Sequence, residues 1–186
     1  MTKLINYSGT KIKYIDIINE HINRSKSKIY YEPFLGGGAV FFNLEKEFDE
    51  YHLNDIDKNI ITIFKSFKLG YYDDFKYLED IAINMDIKRN KENYYKFRTI
   101  INNYRDVEPY MYGLGLYFLC NSCINSMARF GPNGFNSSFG NRFRTLTENE
   151  FDDIQSKLKR TKLTNKSIFD LNIPEDNCLL FLKKKC

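Results

Sequence analysis

The sequence lacks any apolar run of the roughly 20 residues that a helix needs to cross a bilayer. Its polar, charged first residues contain neither the apolar stretch nor the cleavage site of a secretory signal. It also contains no internal repeat and no low-complexity tract. These absences argue against a membrane protein. They predict a cytoplasmic globular protein whose 186 residues suffice for one main core and a small inserted subdomain.

The sequence carries little net charge, because 28 Lys and Arg face 24 Asp and Glu and leave +4. This excess permits a nucleic-acid partner without arguing for one. The basic residues are nevertheless clustered, at 157–166, at Arg142 and Arg144, and at 183–185. A solvated surface has the same pattern, so charge alone does not identify a partner.

The sequence also lacks a second paired spacing of metal ligands. Cys120 and Cys123 are spaced like zinc or redox cysteines, but the other candidate ligands are scattered at His21, His52, Cys178 and Cys186. The apolar surroundings of the pair favour two reduced thiols buried in a helix. We therefore expect no metal site.

The spacing of apolar residues predicts a parallel α/β sheet. Helices are predicted at 11–24, at 39–44, around 60–67, within 71–103, at 110–126 and at 147–158. Strands are predicted at 28–34, 50–55, 166–170 and 178–182. The last strand is apolar on both faces, as is typical of a central parallel strand, whereas 129–144 is rich in turn formers and indicates an ordered loop or hairpin.

A glycine turn separates the first predicted strand from the following helix, in Glu32-Pro-Phe-Leu-Gly-Gly-Gly38. Glycines at such a place let the backbone approach a ligand, although a purely structural bend has the same sequence and the dinucleotide-binding spacing is not matched. Asp55 ends the next strand, where a carboxylate can accept hydrogen bonds from both hydroxyls of a ribose. Together the two features predict an adenosine-containing ligand.

Six segments follow one another in an order and at intervals shared with a known family. They are Tyr7-Ser-Gly-Thr-Lys11, Tyr31-Glu-Pro-Phe-Leu-Gly-Gly-Gly-Ala-Val-Phe-Phe-Asn-Leu, Leu53-Asn-Asp-Ile, Asn125-Ser-Met-Ala-Arg129, Gly134-Phe-Asn and Ser138-Phe-Gly-Asn-Arg142. In this order the sequence resembles DNA adenine-N6 methyltransferases of the Dam type, including those of T-even phages. The resemblance implies a Rossmann-like α/β core that uses S-adenosylmethionine, at 1–70 and 147–186, and a mostly helical insertion at 71–146 that recognises duplex DNA.

The same resemblance implies roles for individual residues toward the cofactor. Tyr7 and Lys11 match positions beside its methionine part, and Asp55 matches the ribose-binding acid. Four residues match the turn that wraps the cofactor: Glu32, Phe34, Gly36 and Gly38. Asp170 falls near the acid that contacts adenine. Packing is the alternative role for Tyr7, and a core position is the alternative for Phe34.

For DNA, the resemblance implies contacts from Asn125, Ser126 and Met127. Three arginines can bind phosphates as charges or guanine edges as bidentate donors: Arg129, Arg142 and Arg144. Phe130, Phe135 or Phe139 could wedge into a base step once the target adenine is extruded. The alternative is a turn-rich surface loop without function.

The sequence lacks the catalytic tetrapeptide of the family, Asp-Pro-Pro-Tyr, which would follow Leu182. We therefore assign no catalytic residue and expect strand 178–182 to form an open apolar edge. A truncated product, one part of a split enzyme completed by a second chain, and a non-catalytic remnant that binds S-adenosylmethionine or DNA all fit this pattern. Each predicts weak cofactor binding and no methylation by the chain alone. An unrelated α/β protein with a zinc site is the remaining alternative.

Overall fold

The computed structural model describes residues 3–182, without the side chain of Ser126. The basic run at 183–185 and Cys186 lie outside this range. Among the described residues the helices are α1 (Ile15–Asn23), α2 (Lys58–Leu69), α3 (Tyr72–Asn84), α4 (Lys91–Tyr104), α5 (Pro109–Ser122) and α6 (Glu148–Lys159). The strands are β1 (Ile29–Glu32), β2 (Glu50–Asn54), β3 (Phe130–Gly131), β4 (Gly134–Phe135), β5 (Thr161–Thr164) and β6 (Cys178–Leu180). None of these helices is both long and apolar enough to span a membrane.

Four strands form a parallel sheet in the order β5-β2-β1-β6. The prediction of a parallel sheet is therefore confirmed, and β1 lies in its interior. Glu32 at the end of β1 lies opposite Leu53 of β2. This register brings the glycine turn that follows β1 next to Asp55 that follows β2.

The two faces of the sheet differ in burial. Tyr30 and Leu53 point into the core and are fully buried. On the other face the rings of Tyr31 and His52 stack at 4.2 Å, while Lys162 is exposed. Tyr31 is buried as well, so the alternation of apolar and polar residues in β2 reflects an apolar core face and a more polar opposite face.

One continuous core joins the sheet to the segment 71–146. Phe67 of α2 contacts both Tyr117 of α5, with ring centroids 5.3 Å apart, and Phe151 of α6 at 5.2 Å. Helix α5 is buried along almost its whole length, from Met111 to Ser122. The sheet and the inserted helices are thus stabilised by the same hydrophobic contacts.

Helix α5 also explains the paired cysteines. Cys120 lies inside the helix, Cys123 is its C-cap residue, and both thiols are buried. Burial raises the pKa of Cys120 well above its usual range and that of Cys123 to about 11, so both thiols stay protonated. Residues 3–182 contain no group of three or more His, Cys, Asp or Glu placed to hold a metal ion.

Two predicted elements are wrong. The helix expected after the glycine turn is a single 3-10 turn, Phe41–Asn43. Because Ala39, Val40, Phe41 and Phe42 are all buried, this segment offers no solvent-facing side for an amphipathic helix.

The strand predicted at 166–170 is also wrong, since the third strand of the sheet is β5 and Ile168–Asp170 forms a 3-10 turn. Ser167 starts that turn, because its side chain accepts a hydrogen bond from the backbone N–H of Phe169. Within residues 3–182 strand β6 pairs with β1 alone, in agreement with the open edge expected for this segment.

The other predicted elements are confirmed. Helix α6 begins with the expected capping box, in which Thr147 and Glu150 bond reciprocally. The turn-rich segment forms a hairpin of β3 and β4, with Phe130 opposite Phe135.

Candidate functional site

The carboxyl ends of the parallel strands meet at one edge of the sheet, which we call the carboxyl edge. The residues that follow the strands there are 33–38 after β1, 55–57 after β2 and 165–172 after β5. A cavity of about 180 Å³ lies at this edge, lined by Tyr31, Pro33, His52, Asn54, Thr164, Lys166, Leu171 and Asn172. Open α/β sheets bind ligands at this edge.

The glycine turn is fixed by contacts from both sides. The backbone N–H of Gly36 donates to Oδ2 of Asp55 at 2.8 Å. Gly36 and Gly38 have φ of +52° and +73°, which side-chain-bearing residues rarely adopt. A Cβ on Gly36 would lie 3.1 Å from Cδ1 of Tyr7. The turn therefore fits tightly between Asp55 and the Tyr7 ring.

Asp55 is buried, and its orientation is set by backbone groups. Besides Gly36, the backbone N–H of Asp57 donates to its Oδ1 at 3.0 Å. The negative charge acts on Tyr7, whose pKa is raised to about 12 by burial and by the carboxylates of Asp55 and Asp57. Two carboxylates of this edge therefore act on the Tyr7 hydroxyl.

The N-terminal segment covers this edge. The backbone N–H of Leu4 donates to the carbonyl of Gly37 at 3.0 Å. The N–H of Asn6 donates to Oδ1 of Asn121, near the end of α5, also at 3.0 Å. The N-terminal segment therefore links the glycine turn to α5, the helix that precedes the hairpin segment.

The remaining predicted cofactor residues have different surroundings. Glu32 is fully buried, and its carboxylate accepts a hydrogen bond from the Tyr30 hydroxyl at 3.0 Å. Phe34 is 37% exposed and is not a core residue. Lys11 is half-buried, and Asp170 is exposed at the end of the 3-10 turn after β5.

The second group of predicted residues lies around the hairpin. Arg129 is exposed, and its backbone N–H donates to Oγ of Ser137 at 2.7 Å. Asn125 is exposed with φ of +53°, and Met127 is also exposed. The backbone of Ser126 lies in the same 3-10 turn, Ile124–Ser126, but its side chain lies outside the described part.

The three phenylalanines that could wedge into a base step pack against a helix or against one another. Phe135 is buried, and Phe139 packs against Tyr94 with ring centroids 5.6 Å apart. Phe130 is half-buried against Phe135. These rings fill the space between the hairpin and the helices, because a short hairpin needs an apolar contact to be stable.

The two later arginines differ in exposure. Arg142 is exposed, whereas Nη1 of Arg144 donates to the backbone carbonyl of Lys3 at 2.8 Å. The pKa of Lys3 is lowered by burial and by the positive charges of Arg144 and Arg142. Both arginines therefore lie close enough to Lys3 to act on its charge, and we call these three residues the basic cluster.

Comparison with known proteins identifies the family. The sequence model of the D12 class N6 adenine-specific DNA methyltransferases matches residues 7–182. The chain belongs to this family.

Several relatives carry names that agree with the family. The chain is 28% identical over 173 residues to the type II methyltransferase M.MjaIII of Methanocaldococcus jannaschii, covering 86% of the chain and 60% of the relative. It is 32% identical over 138 residues to the DNA adenine methylase of Serratia marcescens, covering 73% and 48%. It is 27% identical over 178 residues to the type II methyltransferase M.CviBI of Paramecium bursaria Chlorella virus NC1A, covering 90% and 61%. The chain thus spans about half to three-fifths of the length of these relatives.

Sequence reasoning missed three residues at the two sites of this D12 family member. Ile56 and Phe169 are apolar but 66% and 94% exposed at the carboxyl edge. Each is the sequence neighbour of a predicted cofactor residue, Asp55 or Asp170. This position beside a loop acid was the only signal that the sequence offered for them. Lys3 gave no signal, since only folding brings it to the basic cluster.

Proposed function

We propose that this chain provides the S-adenosylmethionine site and the DNA-recognition hairpin of a DNA adenine-N6 methyltransferase. The observation that carries the proposal is the Gly36 to Asp55 hydrogen bond beneath Tyr7 at the carboxyl edge. Glycine turns and acids at this edge of parallel sheets commonly hold the ribose of an adenosine cofactor. Membership of the D12 family names the cofactor and the reaction.

Asp55 is the proposed acceptor for the two ribose hydroxyls, because a carboxylate has about four lone-pair sites and can serve a ligand as well as backbone amides. Gly36 and Gly38 let the cofactor approach the backbone. Tyr7 and Lys11 lie on the chain segment that covers the turn, and we assign them to the methionine part. The negative charges of Asp55 and Asp57, which lie near Tyr7, favour the sulfonium and ammonium charges of S-adenosylmethionine.

We assign the exposed apolar residues of the edge to the adenine ring of the cofactor. Phe34, Ile56 and Phe169 follow three neighbouring strands, and an exposed apolar group at a ligand-binding edge is expected to be covered by a ligand. Asp170 is placed to accept a hydrogen bond from the adenine amine. When bound, the cofactor supplies the methyl group that the reaction transfers.

The segment 71–146 is the proposed DNA-recognition part, with 1–70 and 147–182 as the cofactor part. The basic cluster of Lys3, Arg142 and Arg144 suits phosphates, which fix the position of a protein on duplex DNA. Arg129 is exposed beside Asn125 and Met127, on a hairpin narrow enough to enter a groove.

Calorimetric titration with S-adenosylmethionine tests the proposal. Asp55→Ala should weaken binding about 100-fold, since two hydrogen bonds to a charged acceptor contribute roughly 3 kcal/mol. Asp55→Asn, which keeps one acceptor oxygen for the turn, should also weaken it. The matched control is Asp49→Ala, which removes the same charge from an exposed position before β2. Equal affinity of wild type and both Asp55 variants would refute the cofactor assignment.

A further inference from the structure

The hairpin rests on a polar stripe of helix α4. Tyr94, Arg98, Asn102 and Arg105 recur at intervals of three and four residues, so their side chains lie on one face of the helix. All four donate hydrogen bonds to backbone carbonyls of the hairpin segment. We call this set the α4 stripe.

Asn102 makes the central contact. Its Nδ2 donates to the carbonyl of Phe135 at 2.9 Å, and the backbone N–H of Phe135 donates to its Oδ1 at 2.9 Å. One amide side chain thus satisfies both polar backbone groups of a strand residue, as a neighbouring β-strand would. The approach is close, because a Cβ on Gly134 would lie 2.6 Å from Oδ1 of Asn102.

The other members of the stripe bond to carbonyls on either side. Arg105 donates to Pro132 at 2.6 Å, and the Tyr94 hydroxyl donates to Ser137 at 3.2 Å. Arg98 donates to the carbonyl of Asn136 at 3.3 Å and to that of Ser137 at 3.2 Å. The helix therefore holds the hairpin from 132 to 137 through backbone groups.

These contacts are transmitted to Arg129. The N–H of Asn136 donates to the carbonyl of Arg129 at 2.9 Å, and the N–H of Arg129 donates to Ser137. Strands of two residues, as in this hairpin, are too short to be stable alone. The position of Arg129 is therefore determined by the residues that α4 holds.

We propose that Asn102 is a positioning residue for DNA recognition, which orients the Arg129 hairpin without itself contacting DNA. This inference rests on the proposed function, because it takes the hairpin to be the part that reads the duplex. It predicts that loss of the Asn102 amide lowers the discrimination between duplexes and leaves the carboxyl edge unchanged.

The test compares Asn102→Ala and Asn102→Asp with Asn103→Ala, which changes an exposed neighbour on the same helix. Asn102→Asp keeps the acceptor for the Phe135 amide but removes the donor. Hydrogen exchange at the Phe135 amide reports the contact, and binding to a duplex selected from a randomised pool, relative to a scrambled duplex, reports discrimination. S-adenosylmethionine affinity and the thermal midpoint are measured on the same samples.

We expect faster Phe135 exchange in Asn102→Ala and about a 10-fold loss of discrimination in both Asn102 variants, as follows from losing one or two hydrogen bonds. Cofactor affinity should match that of Asn103→Ala. If the Asn102 variants bind DNA as tightly as the wild type and discriminate between duplexes equally well, this inference is wrong, while the proposed function still stands. If cofactor affinity falls together with discrimination, the substitution disturbs the whole fold, and the positioning role of Asn102 is also refuted. Wild-type protein that binds no duplex would overturn the DNA part of the proposed function as well.

Discussion

The carboxyl edge and the hairpin are held in place by different groups. At the edge, the backbone amides of Gly36 and Asp57 fix Asp55, and all three residues follow adjacent strands. At the hairpin, side chains of α4 fix backbone carbonyls 33 to 43 residues further along the chain. A site of the first kind is built by local backbone conformation. A site of the second kind depends on tertiary packing. A substitution at one site should therefore impair the binding function of that site and leave the other unchanged.

The largest expected effect comes from the edge. Gly38→Ala should lower the free energy of unfolding by about 2–5 kcal/mol, from backbone strain plus overpacking, since a Cβ would lie 2.8 Å from the Phe64 ring. Gly9→Ala is the matched control, because Gly9 has φ of +76° but nothing within 4 Å. It should lose only about 1 kcal/mol. Chemical denaturation measures both, and equal losses would show that the turn is not tightly packed.

The next effect concerns the hairpin. Arg129→Ala should reduce the preference for a selected duplex over a scrambled one by about 1–3 kcal/mol, as expected for loss of a base contact. Its S-adenosylmethionine affinity should stay unchanged. Equal weakening toward both duplexes, measured by fluorescence anisotropy, would indicate a phosphate contact instead.

A smaller effect is expected from the apolar residues of the edge. Phe169→Ala should weaken S-adenosylmethionine binding by about 1 kcal/mol, because it removes one aromatic contact to the adenine. The fold should be unaffected, since this side chain is almost fully exposed. Leu69→Ala removes another exposed apolar residue, at the end of α2, and serves as the control. Calorimetry that finds both variants equal to wild type would remove Phe169 from the site.

The smallest effect concerns the basic cluster. Arg142→Ala should reduce the slope of log affinity for duplex DNA against log salt by about 0.9, the value for one phosphate contact. Lys65→Ala removes the same charge from the exposed side of α2 and should leave the slope unchanged. An unchanged slope in both variants would place Arg142 away from the DNA.

The same comparison explains what could be predicted from the sequence. The glycine turn, Asp55 and the Thr147 capping box depend on residues that are neighbours in sequence or at the ends of adjacent strands, and the structure contains all three. The hairpin itself was predicted from its turn formers. Its support was not, because nothing in the sequence of α4 distinguishes Asn102 from the exposed Asn103.

The wrong predictions have the same physical origin. Phe135, one of the three candidate wedges, is buried, and its sequence neighbours could not reveal this because burial is decided by packing against residues distant in sequence. The strand expected at 166–170 lies at β5 instead, since Ser167 caps a 3-10 turn and the sheet pairs Thr161–Thr164 with β2. Apolar content alone does not determine which of two neighbouring segments joins a sheet.

A crystal structure of the chain with S-adenosylhomocysteine tests the central claim most directly. The account predicts both ribose hydroxyls within about 3.2 Å of the Asp55 carboxylate, and the adenine ring against Ile56 and Phe169. A ligand bound away from the carboxyl edge, or a ribose without contact to Asp55, would contradict it.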